Sequence, residues 1–222
     1  MTFFHRLLLV FTTTVLAFAQ LAAGPAVATT DETAQIEKTL KLCFDLPKTR
    51  DATNAALAEL GWTGPEPGVT GKTLVSVFAA QQQDSEDPIG WLENATFMAA
   101  SSLGNSALAP GQPGYVRDGA RLAVLGHDLG LAHCALAMDG RFAETAAAQL
   151  PTGIRVQSGQ GYAGLGVAKN RLIFFGVLRP DLIARDVETA DTDDRRRAFA
   201  RSALKEAVMS VNVMIIPLEL AQ

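Results

Sequence analysis

His127, Asp128 and His133 are the residues best suited to acid–base or metal chemistry: an imidazole beside a carboxylate, with a second imidazole six residues further on. Either chemistry requires the groups to converge on one reacting atom or ion. Six residues of extended chain span about 20 Å, so these three meet only if the chain folds back between them. Their simpler roles are a turn histidine and a half-buried strand histidine, and the sequence contains no His-Glu-x-x-His or Gly-x-Ser-x-Gly to argue otherwise. A small hydrolase or metal-dependent enzyme using His127, Asp128 and His133 is therefore the alternative reading. No catalytic, cofactor-binding or metal-ligating residue is assigned, and no cofactor is expected.

Cys43 and Cys134 are the only cysteines. Without Cys-x-x-Cys spacing they do not read as a redox pair. In an oxidising compartment the expected product is a disulfide. Closing a loop of about 90 residues stabilises a fold by roughly 4 to 5 kcal/mol on chain-entropy grounds.

Three further patterns resemble chemistry. Gly159-Gln160-Gly161-Tyr162-Ala163-Gly164 has the spacing of a dinucleotide fingerprint, but it precedes the strand-like Leu165-Gly166-Val167 instead of opening a helix, so a flexible turn is expected. Gly68 to Thr73 resembles the end of a phosphate-binding loop, yet Glu66 stands where its first glycine belongs, and an acid there repels phosphate. Ser202-Ala203-Leu204-Lys205 has Ser-x-x-Lys spacing, but Ser210-Val211-Asn212 follows too closely to form a separate wall, and no Lys-Thr-Gly comes after it. A solvated helix accounts for that spacing. The Asn94-Ala95-Thr96 sequon falls inside a predicted helix.

The positioning elements follow from caps and periodicity. Thr29 and Glu32 form a capping box ahead of a helix that aligns Ile36, Leu40, Cys43 and Phe44 on one face. Pro47 ends it. A second helix runs from about Thr49 to Leu60 and stops at Gly61, with Trp62 folding back on Leu57. Thr63 to Gly71 reads as a loop and Thr73 to Ala80 as a strand, although the run Phe78-Ala79-Ala80-Gln81-Gln82 could equally continue a helix. Asp87-Pro88 starts a helix with Ile89, Leu92, Thr96, Ala99 and Leu103 on one face and Gly104 at its end. Residues 105–114 form another Gly/Pro loop. Ala120 to Leu125 and Leu129 to Met138 are expected to be antiparallel strands joined at Gly126-His127-Asp128, the second facing Ala132, Cys134, Leu136 and Met138 one way and Leu131 and His133 the other. After the Asp139-Gly140 turn come a short helix over Glu144 to Leu150, closed by Pro151, and a strand over Gly153 to Gln157. A hairpin of Gly164 to Ala168 and Arg171 to Leu178 turns at Lys169-Asn170. Thr192 caps a long helix to about Ser210, and Val211 to Ile216 is either its continuation or a buried strand. The fold class is α+β: an antiparallel sheet of about five strands, covered on one face, with N-terminal and C-terminal helices packed on it.

Leu7 to Ala19 is an uncharged apolar run of signal-peptide length, and Ala26-Val27-Ala28 supplies a small-x-small cleavage site after the helix-breaking Gly24-Pro25. A second site, Ala17-Phe18-Ala19, would cut inside the apolar run. Residues 1–28 are thus expected to be a cleaved signal peptide and 29–222 a single globular domain beginning at Thr29. The competing reading, an uncleaved anchor over Leu7 to Ala28, is weakened by three threonines, Gln20 and Gly24-Pro25. The first cysteine lies too late for a lipobox. Cleavage removes one arginine and no acid, taking the formal charge from −4 to −5. Arg195-Arg196-Arg197 is offset by Asp191, Asp193 and Asp194, which disfavours nucleic acid and anionic membrane surfaces as partners. Together these features predict a bacterial periplasmic or secreted domain, with no stable membrane span after cleavage. Its expected role is non-enzymatic: binding a small molecule or a protein partner.

Overall fold

The computed structural model describes residues 28–83, 86–104, 113–151, 154–158 and 161–220; of the segment 1–28 expected to be a signal peptide, residues 1–27 lie outside them. Helix α1 (Thr30–Phe44) begins with the full capping box: the Thr29 hydroxyl accepts from the Glu32 amide, and the Glu32 carboxylate accepts from the Thr29 amide. It buries Ile36, Leu40 and Cys43. Helix α2 (Arg50–Glu59) is capped by Thr49. Gly61 then takes φ +78°, and the Trp62 amide returns to the Leu57 carbonyl at 3.0 Å. Trp62 is buried, with its indole donating to the Thr39 hydroxyl at 2.9 Å.

Helix α3 (Val69–Gln81) occupies the segment expected to be a loop and then a strand over Thr73 to Ala80. Periodicity could not separate the two, because every residue from Thr73 to Ala80 is buried and the run has no polar face to mark its pitch. The helix lies along one face of the sheet. Gly176 beneath it could not carry a Cβ, which would come within 2.2 Å of the Ala80 carbonyl oxygen. Neighbouring side chains satisfy the carbonyls that the end of the helix leaves open. The Trp91 indole donates to Ala79 at 2.7 Å, and the Gln83 amide donates to Ala80 and to the strand carbonyls of Tyr162 and Val177 at 2.9 to 3.1 Å. Helix α4 (Pro88–Gly104) begins as expected, with Asp87 accepting from the Gly90 amide at 2.9 Å.

The sheet has seven strands, all antiparallel, against about five expected. They are β1 (Gly114–Arg117), β2 (Ala120–Leu125), β3 (His133–Met138), β4 (Ile154–Ser158), β5 (Gly161–Ala168), β6 (Arg171–Leu178) and β7 (Val211–Pro217). Their spatial order is β1-β2-β3-β7-β6-β5-β4. The C-terminal strand is therefore central, which resolves Val211 to Ile216 as a strand. β1 begins at Gly114, the last residue of the expected 105–114 loop, and runs through residues to which the sequence assigned no element. Its outer edge is closed by Thr63, which exchanges backbone bonds with Val116 at 2.8 and 2.9 Å. Gly161 to Gly164 lie within β5 and not in a flexible turn. The β5–β6 hairpin turns as predicted, with Lys169 and Asn170 both at positive φ.

Helices cover both faces of the sheet, not one. One face, through Ala123, Ala135 and Met214, packs against α3, α4, α6 (Pro180–Thr189) and α7 (Asp194–Glu206). The other, through Leu122, Leu136, Phe175, Val213 and Ile215, packs against α1, α2 and α5 (Ala143–Gln149). The reason lies in β3, buried at every residue, and in β7, buried at all but one: their sequences read as continuous apolar runs without a polar alternation. Helix α6 had no counterpart in the sequence reading. α7 is capped by Asp193, not Thr192, and ends at Glu206, short of Ser210. Ser202 and Lys205 are exposed on it. No helix among the described residues is long and apolar enough to cross a membrane.

Cys43 and Cys134 form the expected disulfide, with Cα atoms 5.5 Å apart, tying α1 to the interior strand β3. Because it closes a separation of 91 residues, replacing both cysteines by alanine should lower the unfolding free energy by about 4 kcal/mol in denaturant titration. A change below about 1 kcal/mol would show that α1 docks equally well without the crosslink.

Candidate functional site

The turn between β2 and β3 is longer than the three residues expected. A 3₁₀ turn over His127–Leu129 is bracketed by Gly126 at φ +78° and Gly130 at φ +67°. The amides of Leu129 and Leu131 both return to the Gly126 carbonyl at 3.1 Å. Gly126 is required twice over: by its left-handed backbone, and because a Cβ there would meet the Leu131 carbonyl oxygen at 2.8 Å. His133 follows as the first residue of β3, opposite Leu125.

This geometry gives His127, Asp128 and His133 three separate environments. The buried His127 places Nε2 3.0 Å from the Thr53 hydroxyl, whose own proton is directed at the Pro47 carbonyl, 3.5 Å away. Burial lowers the His127 pKa, the Arg50 cation lowers it further, and Asp128 opposes both. Asp128 is mostly exposed, and both of its oxygens accept from the Arg50 guanidinium, at 2.9 and 3.1 Å. His133 is buried at the sheet end, and its Nδ1 lacks a hydrogen-bond partner of full geometry. Burial pushes its pKa down to about 4; the Leu131 backbone opposes the shift and the Arg171 cation adds to it. Among the described residues, no three His, Cys, Asp or Glu side chains gather as a metal would require.

His127 instead lines a cleft of about 440 Å³ that His133 does not reach. The cleft lies at the rim of the sheet, between the α1–α2 linker, the β2–β3 turn, the start of β6 and the end of β7. Leu46, Pro47, Leu131 and Pro217 supply apolar wall. Arg171, Lys48, Asp45 and Glu219 supply charge. Glu219 is steered by the Asn170 amide, which donates to it at 2.9 Å. Arg171 is half-buried, yet its bond to the Ala132 carbonyl is long, 3.5 Å, and no carboxylate pairs with it among the described residues. In this acidic chain most guanidiniums have an acid partner: Arg50 with Asp128, Arg121 with Glu206, Arg141 with Asp118, Arg196 with Glu93, and Arg201 with Glu188. Arg171 is thus a planar fork of donors on a cleft wall with most of its capacity unused. Sequence reasoning treated it only as the first residue of a strand, and no local spacing distinguishes it.

Fold and cleft define a three-layer α+β domain, a mixed-connectivity antiparallel sheet between two helical layers, with a small-molecule-sized cleft at one sheet end. Comparison with known proteins finds no family model, no curated protein and no solved structure that matches this chain.

The buried His133 makes stability depend on pH. Its pKa is about 4 in the fold against 6.5 for the ordinary group, so between those values the unfolded chain binds a proton that the folded chain refuses. The contribution is neutral above pH 6.5, and stability falls as pH drops, by about 3 kcal/mol in total at about 1.4 kcal/mol per pKa unit. His127 acts in the same direction. The His133→Gln variant should show a flatter loss of unfolding free energy between pH 6.5 and 4 than the unaltered protein. Parallel curves would mean that His133 titrates normally.

Proposed function

We propose that this chain is an exported, non-enzymatic binding domain whose ligand is a small molecule held in the Arg171 cleft. The observation that carries this reading is the half-buried Arg171, without a carboxylate partner among the described residues, on the wall of a cleft whose volume falls within the range of small-molecule sites, about 300–1,000 Å³. A cationic fork beside apolar wall is suited to orienting a ligand. His127 Nε2 is occupied by Thr53 and Asp128 by Arg50. The hydrolase or metal-enzyme reading therefore draws no support from these three residues.

Export is supported by the apolar Leu7–Ala19 run with its Ala26-Val27-Ala28 site and by the Cys43–Cys134 disulfide, a bond that persists in oxidising compartments. Two measurements test the two halves of the proposal. Protein recovered from the periplasm of producing cells should have the intact mass of a chain beginning at Thr29; a full-length species in the membrane fraction would overturn export with cleavage. In amide NMR spectra of the same protein, a pool of small periplasmic solutes should displace the signals of Leu46, Lys48, Leu131 and Arg171 and leave those of the opposite helical layer in place. Spectra that no solute pool displaces there would overturn the cleft as the binding site.

A further inference from the structure

Resting on that reading of the cleft, we infer that its ligand is a small zwitterion with an apolar body, of the α-amino acid type. The cleft offers charge of both signs on an apolar wall. Lys48 and Arg171 are its cations, and neither has a carboxylate partner among the described residues. Asp45 and Glu219 are its carboxylates, both exposed, and Glu219 is fixed in place by Asn170. His127 lines the same space, its pKa lowered by burial and by the Arg50 cation.

The formal charges of the four ionised groups cancel. A plain anion would gain from Arg171 and Lys48 but face Asp45 and Glu219 without compensation, and a plain amine would meet the reverse. A molecule carrying a carboxylate and an ammonium a few ångströms apart satisfies both pairs. Arg171 is suited to the carboxylate, because a planar guanidinium binds both of its oxygens at once. Leu46, Pro47, Leu131 and Pro217 then leave apolar surface for an aliphatic side chain.

The test is calorimetric titration of the purified protein with three molecules that share one hydrocarbon body: L-leucine, 4-methylpentanoate, which lacks the ammonium, and 3-methylbutylamine, which lacks the carboxylate. Leucine should bind, and each of the other two about tenfold or more weakly, since each forfeits hydrogen bonds to charged partners. Arg171→Gln should weaken leucine by a similar factor, and Lys48→Gln provides a second variant if the first fails to fold. Equal binding of leucine and either one-charge analogue would overturn the zwitterion assignment and leave the cleft as a binding site. Silence to all three would also overturn it, and the solute-pool displacement at Leu46, Leu131 and Arg171 then reports separately whether the cleft binds a ligand of another class.

Discussion

Helix α3 can lie on the sheet only because the surface beneath it is small, and the rest of the domain is arranged around that seat. Ala123, Ala135 and Gly176 leave room for the backbone to approach, and at Gly176 the Ala80 carbonyl stands where any side chain would begin. A helix brought so close buries polar atoms, and a buried polar atom is costly unless it is hydrogen-bonded. The Ser76 hydroxyl donates to Asn212 on β7 at 2.6 Å, and Asn212 in turn donates to the Met209 carbonyl at 2.9 Å. Trp91 and Gln83 close the far end. These bonds add directional specificity to a contact that hydrophobic burial alone would leave free to slide. α4, α6 and α7 then pack around α3 within one apolar cluster.

The opposite face is held differently. There α1 is joined to β3 by the disulfide, and Trp62 seals the corner between α1 and α2 by bonding Thr39. The cleft falls at the edge of this second layer, where the α1–α2 linker meets the β2–β3 turn. Both are short segments anchored by rigid neighbours: Thr53 bridges Pro47 to His127, and Arg50 holds Asp128. The cleft wall is therefore set by the scaffold before any ligand arrives, the condition under which binding loses least to ordering.

How much of this was legible depended on whether a segment announced itself locally. Thr29 and Glu32, Thr49, Gly61 and Asp87-Pro88 each satisfy helix-end backbone groups through near neighbours, and all four signals placed a real helix end. Lys169-Asn170 and the Cys43–Cys134 pair were legible for the same reason: turn chemistry and compartment chemistry need no knowledge of the rest of the fold. α3 and β7 were not, because full burial removes the polar face from which pitch is read. β1, only four residues long, is held by pairing with β2 and Thr63. Of the candidate site, the sequence brought out His127 and its turn. Arg171, Lys48 and Pro217 come together only through the order β3-β7-β6, which no short-range pattern encodes.

Native-state hydrogen exchange across α3 tests the dependence of the domain on that seat most directly. If the structure rests on α3, the amides from Leu74 to Ala79 exchange only by global unfolding, with opening free energies equal to the value from denaturant titration and equal to those of β3 and β7. If those amides exchange through a local opening of clearly lower free energy while β3 and β7 stay protected, the sheet stands without the helix and the account is wrong.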